Sequence, residues 1–465
     1  MHAPTIIPFA SFAHTALYRD TLKLLQQLVR NACVNDYTPG SGQEVRNANT
    51  LKAFFADVAD EVTITRYEPE PGRTSLVVTV EGTDPEAEPL TFLGHIDVVP
   101  VDEAKWTKPP FEALIEDDII YGRGTVDMLF ITATMAAITR EVARNKTNAG
   151  TLHFVALADE EARGGLGAKW LKEHHPDAFS WKNCLSETGG SHILGQDGSD
   201  SLIVYVGEKG AAQRRIHVHG DPGHGSVPYA KESAIVTIAE VARRIALAKP
   251  KVTDSEIWQG FVDAFRFDDA TTKALKAGNE ESYRTLGELA AYSDAVSHLT
   301  IAQTVLRAGQ AINVLPSHAW LEMDIRPLPG HSQDDVDAVL FDALGDLADK
   351  VEVERLICED ATLSPTDTPL YRCLENTLLS FFPQAQVLPM VAAGGSDLRF
   401  ARQLGGVGYG FAVHAVGRSL GHAHGQLHSH DEHLHLEDLA LTIQGYAHVT
   451  ATFLRATNPC HMEEN

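Results

Sequence analysis

Three features of the chain point to an α/β architecture carrying a smaller inserted domain. Short apolar runs alternate with helical stretches through residues 1–210, alternating strands and one-sided helices fill 211–360, and compact α/β character returns over 361–465. Together they predict a central mixed sheet flanked by helices, built from 1–210 and 361–465 and interrupted by an α+β domain at 211–360. A length of 465 residues exceeds what one core usually organises and fits that division.

The individual elements follow from periodicity. Leu22, Leu25, Leu28, Val29 and Ala32 recur at helical spacing between Ala16 and Ala32, and Val45, Leu51, Phe54, Phe55 and Val58 do so in the next stretch. SLVVTV (75–80), PLTFLG (89–94) and IIYG (119–122) are β-rich, Met128–Arg144 reads as a helix, and LHFVALA (152–158) as a strand. After VGEKG (206–210), RRIHVHG alternates like a half-exposed strand and 232–248 is an amphipathic helix. In WLEMDIR (320–326), Leu321, Met323 and Ile325 share one face while Trp320, Glu322, Asp324 and Arg326 share the other, the pattern of an antiparallel sheet with one wet face. An amphipathic helix near 434–455 completes the pattern.

Composition narrows the function. Lys plus Arg number 38 against 63 Asp plus Glu, a net charge of −25. So negative a surface repels phosphate backbones and anionic lipid, which excludes nucleic acid and membrane as main partners. No stretch approaches the roughly 18 apolar residues of a membrane span. The opening residues lack a basic segment followed by an apolar core, so no secretory signal is expected. Cys33, Cys184, Cys358, Cys373 and Cys460 are scattered, odd in number and free of CxxC spacing, which argues for a reducing cytoplasm over a disulfide framework or thiolate zinc site. One anomaly remains: seven histidines crowd into 414–435.

Five segments carry candidate chemistry. In FLGHIDVVP (92–100), His95 and Asp97 lie at the end of an apolar strand, where i and i+2 face the same side and an acid can orient a ligating imidazole. Taken alone, HxD also describes a structural histidine beside an exposed acid. YGRGTVDMLF (121–130) leads through a glycine-flanked turn to Asp127, at a position where an acid also serves a helix start. VALADEEARGG (155–165) sets Asp159, Glu160 and Glu161 directly after a buried strand, and three acids there repel one another unless a cation or proton intervenes. NCLSETGG (183–190) ends another strand on Glu187, and GHAHGQLHSHDEHLHLEDL (421–439) supplies histidines. Jointly they offer His, Asp, Glu, Glu and His at successive strand ends, a donor set suited to two divalent cations about 3.5–4 Å apart with one bridging carboxylate.

In their order these segments resemble the M20 metallopeptidases, the group of aminoacylases, carboxypeptidases and succinyl-diaminopimelate desuccinylases. The resemblance extends through WTKPPF…IIYGRGTVDM, ADEE, SETGG, GDPGHGSVP, INVLPS, MDIRPLPG, GGSDLRF and HSHDE, nearly the whole chain. It implies a dinuclear-metal hydrolase that cleaves an amide bond next to a free carboxylate, with zinc as the leading metal and Co or Mn as alternatives. By resemblance His95, Asp127 and Glu187 hold one ion, and Asp127, Glu161 and His428 the other, with Asp97 orienting His95 and Glu160 as general base. His428 stands four residues before Glu432, the family's spacing, and His424 and His430 are rivals for that role.

For the insertion, the resemblance implies a ferredoxin-like lid and dimerisation domain. Its His224, in GDPGHGSVP, would stabilise an oxyanion in the partner subunit of a homodimer. Asn313 and Arg326 would bind the carboxylate of a small-molecule or short-peptide substrate, and the turn of Gly394, Gly395 and Ser396 would add backbone donors. The chain departs from the family at Leu129-Phe130, where Lys-Gly is usual. Glu rather than Asp at 187 leans towards carboxypeptidases and deacylases. Dipeptidases and N-carbamoyl amidohydrolases of the same family, a non-catalytic metal-binding relative, and a hinged ligand-binding protein are the competing readings.

Overall fold

Strand Leu90–His95, buried at every position, lies at the middle of a ten-stranded sheet. It runs parallel to Leu152–Leu157 on one side and to Asn183–Ser186 on the other. Val407–Gly410 continues the parallel run beyond Asn183–Ser186. Leu90–His95 and Leu152–Leu157 carry Val, Leu, Phe and Ala with little alternation, as strands covered on both faces must. The computed structural model describes residues 6–454, so Cys460 and the final residue of the helix expected over 434–455 lie outside the described residues.

Helices cover the sheet. Ala16–Arg30 starts at Thr15, whose hydroxyl accepts the Tyr18 N–H, and buries Leu24, Leu25, Leu28 and Val29. Leu129–Asn145 is buried almost all round, and Leu436–Phe453 packs beside it. The central position of Leu129–Asn145 explains why its sequence is apolar on every face rather than on one stripe. Leu129 and Phe130, at the departure from the family pattern, are 1% and 2% exposed, so both side chains serve the core at this helix start.

The inserted unit is a separate four-stranded antiparallel sheet, in the spatial order Thr300–Ala308, His318–Arg326, Arg214–His219, Val351–Arg355. Ala234–Ala246 and Gln333–Leu344 pack on it, and Ile216, Val218, Leu321, Met323 and Ile325 form its core with Ile238, Val241 and Leu340. One segment of 211–360 belongs elsewhere. The helices between Glu256 and Ser297 bury Trp258, Phe261, Tyr292 and Val296 against Ile203, Tyr205 and Met390 of the large sheet, not against the small one. Their apolar faces cover sheet residues that would otherwise meet water.

His153, on strand Leu152–Leu157, faces Thr79 Oγ1 at 3.0 Å. Burial holds its pKa at about 4, below the ordinary 6.5. The unfolded chain therefore takes up a proton that the folded chain refuses, and stability contributed by the neutral ring is complete above pH 6.5 and is lost as pH falls towards 4. His153→Gln is expected to flatten the fall in urea-unfolding free energy between pH 7 and pH 4.5 relative to the parent. Parallel curves for the two proteins would count against this.

Candidate active site

The parallel strands deliver their chemistry at one edge of the sheet. His95 ends its strand in register with Leu157. Glu160 and Glu161 follow three and four residues after Leu157, and Glu187 comes directly after Ser186. Open α/β sheets gather functional groups at this carboxyl edge because there the chain leaves the sheet while its backbone is still held.

At that edge His95 Nε2 lies 3.1 Å from Asp127 Oδ1 and 3.8 Å from Glu187 Oε2. His428 Nε2 lies 3.2 Å from both Asp127 Oδ2 and Glu161 Oε2. Asp127 thus faces one imidazole with each oxygen. Ligand atoms of His95, Glu160 and Glu187 fall within 4.8 Å of one another, as do those of His95, Asp127 and Glu161. Atoms sharing a tetrahedral ion through bonds of about 2.0–2.1 Å sit roughly 3.3 Å apart, close to the spacings here. Glu161 Oε1 is buried without a hydrogen-bond partner among the described residues, an orphaned acceptor that a cation would satisfy. The residues fit a pair of divalent ions.

Electrostatics agree with the geometry. Burial, reinforced by neighbouring carboxylates, lifts Glu160 and Glu187 well above the carboxylate range and Glu161 to about 7. Burial also pushes Asp127 upwards, but the bonds from His428 and His95 outweigh it and hold that carboxyl below its ordinary value. The Asp127 and Glu161 contacts raise His428 to about 10, and His95 rises in the same direction although burial opposes it. Protons held by the two imidazoles and by the raised carboxyls therefore limit the negative charge of the cluster, a role that cations can take over.

The supporting residues explain the precision. His95 Nδ1 lies 3.0 Å from the Asp97 backbone oxygen, whereas the Asp97 carboxylate is 3.7 Å away. The chain leaves strand geometry after His95, which frees that carboxylate to accept the backbone N–H groups of Glu160 and Glu161, each at 3.2 Å. Asp97 also accepts from Asn35 Nδ2 at 2.9 Å. Its larger effect is thus on the turn carrying the two glutamates. Asp159, the first acid of ADEE, is turned away to Arg73 at 2.5 Å, where Glu44 also binds, and only Glu160 and Glu161 face the site. Glu432, which the sequence marks only as a spacing landmark, accepts from Val126 N, Asp127 N, Gly124 N and Arg123 Nη1 at 2.7–3.1 Å and so fixes the Asp127 turn against the His428 loop.

A cavity of about 760 Å³ opens from this cluster, and Arg326, Gly394, Gly395 and Ser396 line it. Arg326 Nε donates to Asp324 at 3.0 Å. The Ser396 N–H and hydroxyl are both directed to Glu208, at 3.0 and 2.6 Å, which leaves the two glycines as the outward part of that turn. Asp397, missed in the sequence, is buried with neither carboxylate oxygen hydrogen-bonded among the described residues, and burial lifts it to about 7. His424 also lines the cavity, but its Nε2 meets the Tyr205 hydroxyl at 2.9 Å; His430 is exposed, and His428 is the histidine that meets Asp127 and Glu161. His224 and Asn313 do not join the cluster within one chain. Both are exposed, and His224 is bonded to Ser226 Oγ at 2.7 Å beside a two-stranded antiparallel ladder pairing Gly223–His224 with Val314–Leu315.

Solved structures share this fold. The M20 family metallo-carboxypeptidase Sso-CP2 from Sulfolobus solfataricus superposes with a TM-score of 0.64 at 16% identity, covering 93% of this chain and 99% of its own. Human carnosine dipeptidase 1 gives 0.63 at 13% identity, covering 96% and 98%. A dinuclear metal binding peptidase of the M20 family from Bacillus subtilis gives 0.61 at 12%, covering 94% and 99%. In sequence, probable carboxypeptidase S-like 2 of Dictyostelium discoideum is 28% identical over 344 residues, 70% of this chain and 64% of that protein, just under two thirds of its length. The N-fatty-acyl-amino acid synthase/hydrolase of Homo sapiens is 26% identical over 346 residues, 71% of this chain and 68% of its own. These likenesses define a hydrolase of the metallopeptidase and amidohydrolase class. The chain belongs to peptidase family M20/M25/M40, which it matches over residues 91–452.

Proposed function

We propose that this chain hydrolyses an amide bond adjacent to a free carboxylate, as a deacylase of N-acyl amino acids or a carboxypeptidase, using two divalent ions with zinc as the leading candidate. The observation that carries this reading is the convergence of His95, Asp127, Glu161, Glu187 and His428 at one strand edge, with Glu160 beside them. His95, Asp127 and Glu187 would hold one ion and Asp127, Glu161 and His428 the other. When bound, the ions supply Lewis acidity to the scissile carbonyl and acidify the attacking water. Glu160, whose carboxyl has no hydrogen-bond partner among the described residues, accepts a proton from that water and returns it to the departing nitrogen.

Arg326, in the cavity wall, supplies a guanidinium for the substrate carboxylate, and the Gly394–Gly395 turn adds backbone donors. The four-stranded unit acts as a ferredoxin-like lid and dimerisation domain. Its exposed Val227, Tyr229, Ile312 and Val314 lie in or within a few residues of the paired segments Gly223–His224 and Val314–Leu315 and form the apolar surface that a second copy would cover, bringing His224 and Asn313 to the neighbouring centre. Apolar wall residues Phe130, Ile131, Leu420 and Leu427 favour an acyl group over a charged one, in keeping with the N-acyl amino acid class named for the human relative.

A substrate panel tests this. The chain is stripped with a chelator, reloaded with Zn²⁺, Co²⁺ or Mn²⁺, and offered N-acyl amino acids, dipeptides and N-carbamoyl amino acids. Turnover is expected only after reloading and highest on N-acyl amino acids or short peptides cut next to the free carboxylate. Faster turnover of dipeptides or carbamoyl compounds moves the chain to those branches. Two bound ions without turnover of any substrate would leave a metal-binding relative.

A further inference from the structure

A second group of imidazoles stands apart from the carboxylates. His422 is on helix Leu420–Gln426, and His433 and His435 are on strand His433–His435. In a strand i and i+2 point the same way, and Leu434 between them is 3% exposed and faces the core, so both histidines project from the opposite side. One ring nitrogen from each of the three histidines lies within 4.8 Å of the others, and all three residues are half-buried. The rings are not stacked: centroids are 5.8, 6.2 and 5.9 Å apart with interplanar angles of 71°, 50° and 67°.

We propose that His422, His433 and His435 form a metal site, separate from the carboxylate-rich centre, that takes one zinc-type divalent ion through three imidazole nitrogens and completes its shell with water. Nitrogens sharing a tetrahedral ion sit roughly 3.3 Å apart, so small ring rotations close the remaining gap. His433 Nδ1 is 2.8 Å from the Asp431 backbone oxygen, which selects a proton on that nitrogen and leaves Nε2 as the ligand atom, the usual arrangement of a metal-binding histidine. Gln426 Oε1 accepts the His433 N–H at 3.1 Å and ties the helix end to the strand.

The chemistry of the site selects its ion. An all-imidazole set suits Zn²⁺, Co²⁺, Ni²⁺ or Cu²⁺ and is a poor match for Mg²⁺ or Ca²⁺. The nearby Arg418 is paired with Asp438 at 3.1 Å, so its charge is offset locally. Burial, with the neighbouring imidazole and Arg418, lowers the pKa of His422, and burial also lowers that of His435, which favours the neutral ligating forms. His428 and Glu432 lie between His422 and His433 in the chain, so this ion would fasten both ends of the loop that presents His428.

The test counts ions on the full chain. After chelator treatment, wild type, His433→Gln and the double variant His422→Gln/His435→Gln are titrated with Zn²⁺ against a chromophoric chelator and checked by elemental analysis. Wild type is expected to hold one more tight Zn²⁺ per chain than either variant, and Mg²⁺ is expected not to displace it. A chain whose carboxylate-rich centre is disabled by His95→Ala/Asp127→Asn is expected to retain one tight Zn²⁺, with the visible spectrum of a tetrahedral Co²⁺ complex after substitution, and to lose it when His433→Gln is added. Equal stoichiometry in wild type and the triad variants, or no ion retained by the disabled chain with its circular dichroism unchanged, overturns the proposal.

Discussion

Glu160→Gln is expected to leave ion binding intact and to lower kcat by about 10²–10⁴-fold, the range that a positioned general base contributes. The two adjacent glutamates differ in their hydrogen bonds. Glu161 Oε2 meets His428 Nε2 at 3.2 Å, which commits it to the ion cluster. Glu160 has its backbone N–H fixed by Asp97 at 3.2 Å while its carboxyl takes no hydrogen bond among the described residues. An amide at 160 preserves shape and the backbone anchor but cannot take a proton from water. Elemental analysis of the variant should therefore match the parent, with the loss confined to kcat. Glu161→Gln should instead weaken the second ion. Near-parental turnover by a fully loaded Glu160→Gln chain would remove Glu160 from the mechanism.

Part of this candidate site is legible in the sequence because His95, Glu160, Glu161 and Glu187 each end or closely follow a run that reads as a buried strand, whereas Asp127 and His428 sit on turns. PLTFLG places His95, LHFVALA places Glu160 and Glu161, and NCLS places Glu187; the observed strands end at His95, Leu157 and Ser186. What periodicity does not carry is contact between segments far apart in the chain. Asn35 reaches Asp97 across 62 positions and Glu432 reaches Arg123 across 309, and nothing local to those residues marks the pairing. Asp97 shows a second limit. The i, i+2 rule puts its carboxylate beside His95 only while the chain stays extended, and here it leaves the strand after His95. The helices between Glu256 and Ser297 show a third: their amphipathic pattern reveals that one face is buried but not which sheet buries it.

Glu432→Ala is expected to be the most destabilising single change near the site, by about 3–5 kcal/mol, because it strands a buried guanidinium. Glu432 is fully buried and Arg123 is 2% exposed, joined at 2.7 Å, and Arg123 also lies over the Trp106 ring at 5.3 Å. Removing the carboxylate also orphans the N–H groups of Gly124, Val126 and Asp127, each of which is costly to leave unpaired where water cannot enter. Arg123→Met should be milder, since Glu432 then keeps those three backbone donors. The order Arg123→Met before Glu432→Ala in loss of urea-unfolding free energy separates a backbone buckle from a simple ion pair; an ion pair alone predicts similar losses. The same change should loosen Asp127, whose N–H Glu432 holds at 3.1 Å, so ion affinity should fall together with stability. Glu432→Ala with parental unfolding free energy and parental ion affinity would show that the Asp127 turn keeps its place without this carboxylate.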